Sequence, residues 1–192
     1  MKIAVVGAGY VGLSNAILLA QHHEVYLIDI IQDKIDKINQ RISPLADKEI
    51  EEYLTEHTLQ LTAMTDGRTV YKDVDYVIIS TPTNYDSKKD YFDTSSVEHV
   101  VSDVLACGSD AAIVIKSTVP VGYTSELIAK TGYPKILFSP EFLREGRALY
   151  DNLYPSRIIV GCDSEEPALS KCARTFAGLL SEGAIKTDIP VL

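Results

Sequence analysis

Cysteine is scarce in this 192-residue chain, and positive charge is outnumbered by negative charge. The three cysteines, Cys107, Cys162 and Cys172, are odd in number and lack C-x-x-C spacing, which indicates a reducing compartment and no zinc site. The four histidines form no metal-ligand pattern, so we expect no metal. The net charge is −9, which argues against a nucleic-acid partner because phosphate binding needs clustered lysine and arginine.

Long apolar runs are also missing, so we expect neither a membrane span nor a membrane partner. The first 20 residues have an early lysine and an apolar run, as a signal peptide does. Three glycines and Asn15 interrupt that run, and no cleavage site follows, so this alternative is disfavoured. We therefore expect a cytoplasmic protein. A hydrophobic content of 46% fits a globular α/β domain.

A glycine-rich loop follows the first predicted strand. Gly7-Ala8-Gly9-Tyr10-Val11-Gly12 has the spacing G-x-G-x-x-G and opens a predicted helix. Gly7 allows the tight turn, Gly9 lets the backbone approach a pyrophosphate, and Gly12 lets the helix pack on the strand. The helix N-terminus directs unpaired N–H groups at phosphates. Asp29 follows the next strand, where an acid accepts hydrogen bonds from a ribose diol. The segment therefore predicts a dinucleotide site.

Strand-like and helix-like runs alternate along the whole chain. This pattern predicts a Rossmann-like, doubly wound, mostly parallel sheet of six or seven strands, with helices on both faces and an insertion after the second strand. The predicted strands are 2–6, 24–28, 59–64, 75–80, 111–116, 135–139 and 157–161, with a possible further one at 184–186. The predicted helices are 13–21, 32–41, 46–56, 94–107, 122–130 and 165–180, with a helical turn at 66–72. Four isoleucines around the second helix are expected to face inward: Ile31, Ile35, Ile38 and Ile42.

Two polar loops follow predicted strands at the edge where ligands bind in such sheets. Residues 80–84 (Ser-Thr-Pro-Thr-Asn) suit a rigid wall beside a nicotinamide ribose, or equally a polar turn that closes a strand. Residues 116–122 (Lys-Ser-Thr-Val-Pro-Val-Gly) fit helix capping by Ser117 or Thr118, which the proline favours. The alternative is a hydroxyl directed at substrate or water.

A third loop, residues 139–146, carries two acids. Ser139 caps a turn if Pro140 occupies its first position, and in a helical turn Glu141 and Glu145 would share a face. Two acids at this edge suit general acid–base work on a water. Acids also favour a helix N-terminus electrostatically, and an extended loop that presents backbone amides fits the spacing equally well.

These blocks occur in one order with residues 151 and 155–158 (Asp, and Pro-Ser-Arg-Ile). Together, over essentially the whole chain, they resemble the NAD-binding half of the UDP-glucose/GDP-mannose dehydrogenase family. The resemblance implies an NAD-dependent oxidoreductase that oxidises the C6 alcohol of a nucleotide sugar to the carboxylate in two hydride transfers. UDP-glucose is the favoured substrate, with UDP-N-acetylmannosamine and GDP-mannose as alternatives, and the chemistry suggests polysaccharide or capsule synthesis.

The resemblance also implies roles for particular residues. The implied cofactor contacts are Gly7, Gly9, Tyr10, Val11, Gly12, Asp29, Lys34, Thr83, Thr118 and Glu145. The implied substrate contacts are Glu141, Phe142, Leu143, Arg144 and Glu145. Thr118 would help to hold the reacting water, Glu145 would activate it for thioester hydrolysis, and Glu141 would be a supporting acid. NAD is expected rather than NADP, because Asp29 would repel a 2′-phosphate and no arginine follows it.

The family's cysteine nucleophile has no counterpart among residues 1–192, and the three cysteines present are interpreted as structural. We therefore expect one NAD-binding domain from a larger enzyme, without the family's central helix and C-terminal nucleotide-sugar domain. Such a domain would bind cofactor without completing the reaction. The full-length protein would be a homodimer and the fragment monomeric. Two alternatives remain open: a stand-alone NAD-binding module, and a flavoprotein or hydroxyacid dehydrogenase that shares only the fold.

Overall fold

The computed structural model describes residues 1–86, 91–162 and 166–192. Its strands, in chain order, are β1 (Lys2–Val6), β2 (Glu24–Ile28), β3 (Leu61–Met64), β4 (Tyr76–Ile79), β5 (Asn84–Asp86), β6 (Tyr91–Asp93), β7 (Ala112–Ile115) and β8 (Ile136–Phe138). Its α-helices are α1 (Tyr10–Ala20), α2 (Gln32–Asn39), α3 (Lys48–Glu56), α4 (Ser95–Ala106), α5 (Tyr123–Thr131), α6 (Ala148–Leu153) and α7 (Pro167–Gly183). Two short 3₁₀ turns, Gly67–Thr69 and Tyr71–Asp73, occupy the predicted helical turn.

Six strands form one parallel sheet in the order β3-β2-β1-β4-β7-β8. Alternate residues of each strand enter hydrophobic clusters on opposite faces, so that Ile3 and Val5 of β1 pack with α1, α3, α6 and α7. Ala4 of the same strand packs in the second cluster, with α4 and α5. Continuous apolar strands are what burial on both faces requires. The predicted Rossmann-like fold is confirmed.

Two predicted strands are wrong. Residues 157–161 make only an isolated antiparallel bridge, Phe138 with Gly161, and a parallel bridge, Ile158 with Val191. Residues 184–186 lie outside the sheet, because the amides of Ile185 and Lys186 both donate to the carbonyl of Leu153 at the end of α6.

One further prediction about local structure is wrong, and one pair of strands was not predicted. Ile31 and Ile42 are 47% and 51% exposed, because Ile31 is the extended N-cap residue of α2 and Ile42 lies three residues beyond its last residue. The antiparallel pairing of β5 with β6 was not predicted. The predicted start of the last helix, residue 165, lies outside the described residues, and α7 begins at Pro167.

The outer edge of β3 is covered by a side chain. Asn39, the last residue of α2, donates through Nδ2 to the Ala63 carbonyl and accepts from the Ala63 amide through Oδ1, both at 2.9 Å. The primary amide thus occupies the place of a neighbouring strand at this residue.

A buried carboxylate ties the insertion between β2 and β3 to helix α6 on the same face of the sheet. Asp47 is 2% exposed and caps α3 by accepting from the Ile50 amide at 3.1 Å. Its other oxygen accepts from the Ala148 amide at 2.6 Å, at the start of α6. None of the helices within the described residues is both long and apolar enough to span a lipid bilayer.

Candidate functional site at the carboxyl edge of the sheet

The glycine loop between β1 and α1 leaves no room for a side chain at its two ends. Gly7 has φ of +104°, and a Cβ there would lie 2.6 Å from the Ser80 carbonyl oxygen. A Cβ on Gly12 would lie 1.7 Å from the Gly7 carbonyl oxygen and 2.5 Å from Ser80 Oγ. Both positions therefore require glycine because of contacts within the protein.

Gly9 differs from both of its neighbours in the motif. A Cβ built on it meets no atom within 4 Å, so packing within the protein does not explain the glycine. Gly9 is also the N-cap of α1 and offers no capping side chain to the first turn. An open backbone at a helix N-terminus is the geometry that accepts a phosphate. The helix begins at Tyr10, three residues before its predicted start.

Asp29 lies at the carboxyl end of β2 and holds the glycine loop. Its Oδ2 accepts from the Ala8 amide at 2.7 Å, and its Oδ1 accepts from the Ile31 amide at 2.9 Å. Lys34 approaches the same carboxylate at 3.6 Å and donates to the Ala8 carbonyl at 3.4 Å. Two of the predicted cofactor residues thus meet at the loop, and the acid's side chain is 10% exposed.

A cavity of about 660 Å³ opens beside the glycine loop. The predicted cofactor residues in its wall are Gly9, Tyr10, Val11, Thr83, Thr118 and Glu145. Two of the strand-end loops are joined there, because the Thr83 hydroxyl donates to the Thr118 carbonyl at 2.6 Å. The first loop therefore forms a wall that is tied to its neighbour.

The capping interpretation of residues 116–122 is wrong. The Ser117 hydroxyl donates to the Thr81 carbonyl at 2.7 Å, whereas α5 begins only at Tyr123. Its N-cap is Gly122, at φ +86°, without a side-chain cap. Thr118 is exposed and free of that structural duty, so its hydroxyl can face a ligand.

Residues 139–147 form a loop rather than a helical turn, so Glu141 and Glu145 do not share a helix face. Glu141 points inward: its Oε2 lies 3.1 Å from both Lys116 Nζ and Asn15 Nδ2. Its Oε1 accepts from the Phe142 amide at 3.2 Å. Glu145 is exposed at the cavity wall. The two acids therefore have different environments and suit different tasks.

Asp151 holds the middle of this loop. Its carboxylate accepts from the Arg144 amide at 2.8 Å and from the guanidinium at 3.0 and 2.6 Å. The bidentate hydrogen bonds from Arg144 lower the pKa of Asp151 below its ordinary value. The predicted substrate residue Arg144 is thus engaged with a carboxylate seven positions later in the chain.

A second cavity, of about 280 Å³, lies on the other side of the same loop. Lys116, Pro140 and Glu141 line both cavities and so form the partition between them. The predicted substrate residues Phe142 and Arg144 line this cavity. The Arg157 guanidinium lies 5.3 Å from the centre of the Phe142 ring, which is 56% exposed.

Glu141 of the partition contacts two residues that had no predicted role. Lys116 is a charged residue at the end of an apolar strand, and Asn15 is a polar residue within the apolar helix α1. Each was a visible exception to its local pattern. The local sequence around Lys116 or Asn15 does not reveal that both side chains contact Glu141, because Glu141 is distant from each of them in the chain. Within the described ranges, no cluster of histidine, cysteine and acidic residues could hold a metal ion.

The sequence of this chain resembles those of one dehydrogenase family. The sequence model described as "UDP-glucose/GDP-mannose dehydrogenase family, NAD binding domain" matches residues 1–178. UDP-glucose 6-dehydrogenase of Streptococcus pneumoniae is 57% identical over 192 residues, which are 100% of this chain and 49% of that protein. UDP-glucose 6-dehydrogenase of Campylobacter jejuni is 48% identical over 163 residues, 84% of this chain and 42% of that protein. The chain thus spans about half the length of these relatives.

Solved structures share the fold over the whole chain. A UDP-glucose dehydrogenase from Pyrobaculum islandicum superposes with a TM-score of 0.81 at 26% identity, covering 100% of this chain and 45% of that one. A ternary complex of GDP-mannose dehydrogenase from Pseudomonas aeruginosa superposes with a TM-score of 0.82 at 25% identity, covering 100% of this chain and 46% of that one.

Proposed function

Because the chain belongs to the UDP-glucose/GDP-mannose dehydrogenase family and matches its NAD-binding domain, we propose that it supplies the cofactor half of a UDP-glucose 6-dehydrogenase. The single observation that carries this proposal is the open backbone at Gly9, next to a cavity of about 660 Å³. The family match also removes the alternative of a flavoprotein or hydroxyacid dehydrogenase that shares only the fold.

The residues present fit an NAD molecule. The α1 N-terminus and Gly9 would hold the pyrophosphate, and Asp29 would accept from the adenosine ribose. Val11, Thr83 and Thr118 would contact the nicotinamide half along the cavity. NAD supplies the hydride acceptor when bound. Asp29 would disfavour a 2′-phosphate, so the proposal specifies NAD rather than NADP.

The nucleotide sugar would lie along the loop of residues 141–145. Two relatives that are 57% and 48% identical carry the name UDP-glucose 6-dehydrogenase, which supports UDP-glucose as the substrate. Phe142 and Arg144 at the smaller cavity, and Leu143 at the larger one, would provide the contacts.

Glu145 and Thr118 would manage the water that releases the acid product. Both line the larger cavity and both are exposed, so each can reach a water there. A carboxylate free of ion pairs is the better general base, since an ion pair stabilises the carboxylate and makes it accept a proton less readily. Glu141 is bound to Lys116 and Asn15, so its side chain would instead hold the loop backbone in place beside the nucleotide sugar.

The thiol of the reaction would come from outside this domain. Among the described residues that line the two cavities there is no cysteine. Cys162 and Cys172 pack against one hydrophobic cluster and Cys107 against the other. We propose that the half of the relatives which this chain does not span supplies the nucleophile and the remaining sugar contacts.

The test begins with calorimetric titration of this chain with NAD⁺ and with NADP⁺. Selective binding of NAD⁺ is expected; no binding by a sample that is folded by circular dichroism, or a preference for NADP⁺, would contradict the proposal. The chain joined to the second half of its relatives is then assayed with UDP-glucose, GDP-mannose and UDP-N-acetylmannosamine. Two NADH per UDP-glucose is the expected result. NAD⁺ binding without turnover of any sugar would favour a stand-alone module.

A further inference from the structure

A lysine is buried at the partition between the two cavities. The Lys116 side chain is 3% exposed, at the carboxyl end of β7, where the cofactor cavity begins. Its ammonium lies 3.1 Å from Glu141 Oε2 and 3.3 Å from Ser139 Oγ. A buried ammonium requires such partners, because removing it from water without them is costly.

Both partners of Lys116 belong to one loop, and each is fixed again from elsewhere. The Ser139 hydroxyl donates to the Ile159 carbonyl at 2.9 Å. The Glu141 oxygen that faces the lysine also accepts from Asn15 Nδ2, on the helix that follows the glycine loop. Glu141 therefore joins three segments: the end of β7, helix α1, and its own loop.

We propose that Lys116 is a positioning residue, which acts through the Glu141 carboxylate to hold residues 139–146 against the cofactor site. Resting on the proposed function, this assigns to Lys116 the placement of Glu145 and Leu143, which extend from the same loop into the larger cavity. Lys116 transfers no proton in this role. Its cation sets where the loop lies, and the loop sets where the reacting groups lie.

The alternative is that Lys116 only stabilises the fold. The two roles differ in what they predict for the folded protein. A positioning lysine affects the loop and the rate of reaction far below the unfolding temperature, whereas a stabilising one affects only the unfolding transition.

The first experiment measures hydrogen exchange in this chain and in its Lys116→Met variant. The Phe142 amide donates to Glu141 Oε1, so its exchange reports the position of that carboxylate directly. We expect at least about tenfold faster exchange at the hydrogen-bonded amides of the 139–146 loop, Ser139, Phe142 and Arg144, and no change in the glycine loop, residues 7–12. The matched control is Lys135→Met, since Lys135 pairs with Asp110 at 2.6 Å away from the loop. Unchanged exchange in Lys116→Met would overturn the proposal.

A double-mutant cycle tests whether Lys116 acts through Glu141. Lys116→Met alone leaves the buried Glu141 carboxylate without its cation. The double variant Lys116→Met/Glu141→Gln removes both charges, so it can be measured as a folded protein even if the single variant is unstable. In the Glu141→Gln background, Lys116→Met should change the exchange of the Phe142 amide less than about threefold. An equal effect in both backgrounds would overturn the proposal.

The kinetic experiment uses the chain joined to the second half of its relatives. Lys116→Met should lower kcat about 100-fold, because a small displacement of reacting groups is costly, and leave KM for NAD⁺ within about threefold. An unchanged kcat, or a rise in KM alone, would refute the positioning role. If the wild-type protein turns over no nucleotide sugar, the proposed function fails, and the exchange experiments still decide the role of Lys116.

Discussion

Two Gly→Ala substitutions in one loop should have opposite consequences. At Gly12 a methyl group would lie 1.7 Å from the Gly7 carbonyl oxygen, well inside any permitted contact. The neighbour is backbone of a loop that Ser80 and Asp29 also hold, so it cannot simply move aside. At Gly9 the same methyl group meets nothing within 4 Å.

The expected cost at Gly12 follows from overpacking. Inserting a methyl group into a filled site costs about 1–3 kcal/mol, and a contact this short belongs at the upper end. A loss of about 3 kcal/mol lowers the midpoint of thermal unfolding by about 6–12 °C in a domain of this size. Gly9→Ala should stay within about 1 kcal/mol of wild type, since its backbone angles are open to alanine.

Binding should reverse the order of the two positions. Gly9→Ala places its methyl group where we propose that the pyrophosphate lies, so NAD⁺ affinity should fall about tenfold or more in calorimetry. Gly178→Ala is the matched control, because a Cβ there also meets nothing within 4 Å, but the residue lies in α7. It should bind NAD⁺ as wild type does. A Gly12→Ala protein that melts within about 2 °C of wild type, or a Gly9→Ala protein with unchanged affinity, would refute the reasoning.

Three further predictions follow from side chains described above. Asp29→Ala should weaken NAD⁺ binding and narrow the preference over NADP⁺ in calorimetry; unchanged affinities for both cofactors would count against the ribose role. Asp47→Ala should lower the free energy of unfolding in urea by about 2–4 kcal/mol, because two buried amides lose their acceptor, whereas exposed Glu51→Ala should cost under about 0.5 kcal/mol. Because Arg144 lowers the pKa of Asp151 in the folded state, that carboxylate contributes stability above its ordinary pKa of 3.8, and the contribution disappears as pH falls through the folded value. The difference in unfolding free energy between wild type and Asp151→Asn should therefore shrink from about pH 6 to about pH 2, and a constant difference would contradict the pairing.

The main elements of the sheet could be predicted because each carries a local signal. The apolar run of β1 ends at Gly7 and that of β2 ends at Asp29. The spacing of the glycines predicts a tight turn at Gly7 and close packing of helix on strand at Gly12. The edge at which the three polar loops meet follows from parallel topology alone, since all strands end there. These inferences need no knowledge of distant contacts.

The path of residues 139–147 could not be decided from the sequence. Pro140 and the spacing of Glu141 and Glu145 fit a helical turn and a loop equally well. The structure decides between them through Asp151, which binds both the amide and the guanidinium of Arg144. The failed strand at 157–161 has the same origin: Ile158 is buried and Ile159 and Val160 are half-buried, but the backbone pairs with the last residues, 190–192, rather than along β8.

Both margins of the six-stranded sheet carry a barrier to growth. Along β3, the Asn39 amide occupies the hydrogen-bonding groups that Ala63 would offer to another strand. Beyond β8, the pairing with residue Gly161 is antiparallel and is limited to the single pair Phe138–Gly161. An unpaired strand edge is a template on which a second chain can add and begin a fibril. The Asn39 amide and the single antiparallel bridge thus occupy hydrogen-bonding groups that each edge strand would otherwise offer to another chain.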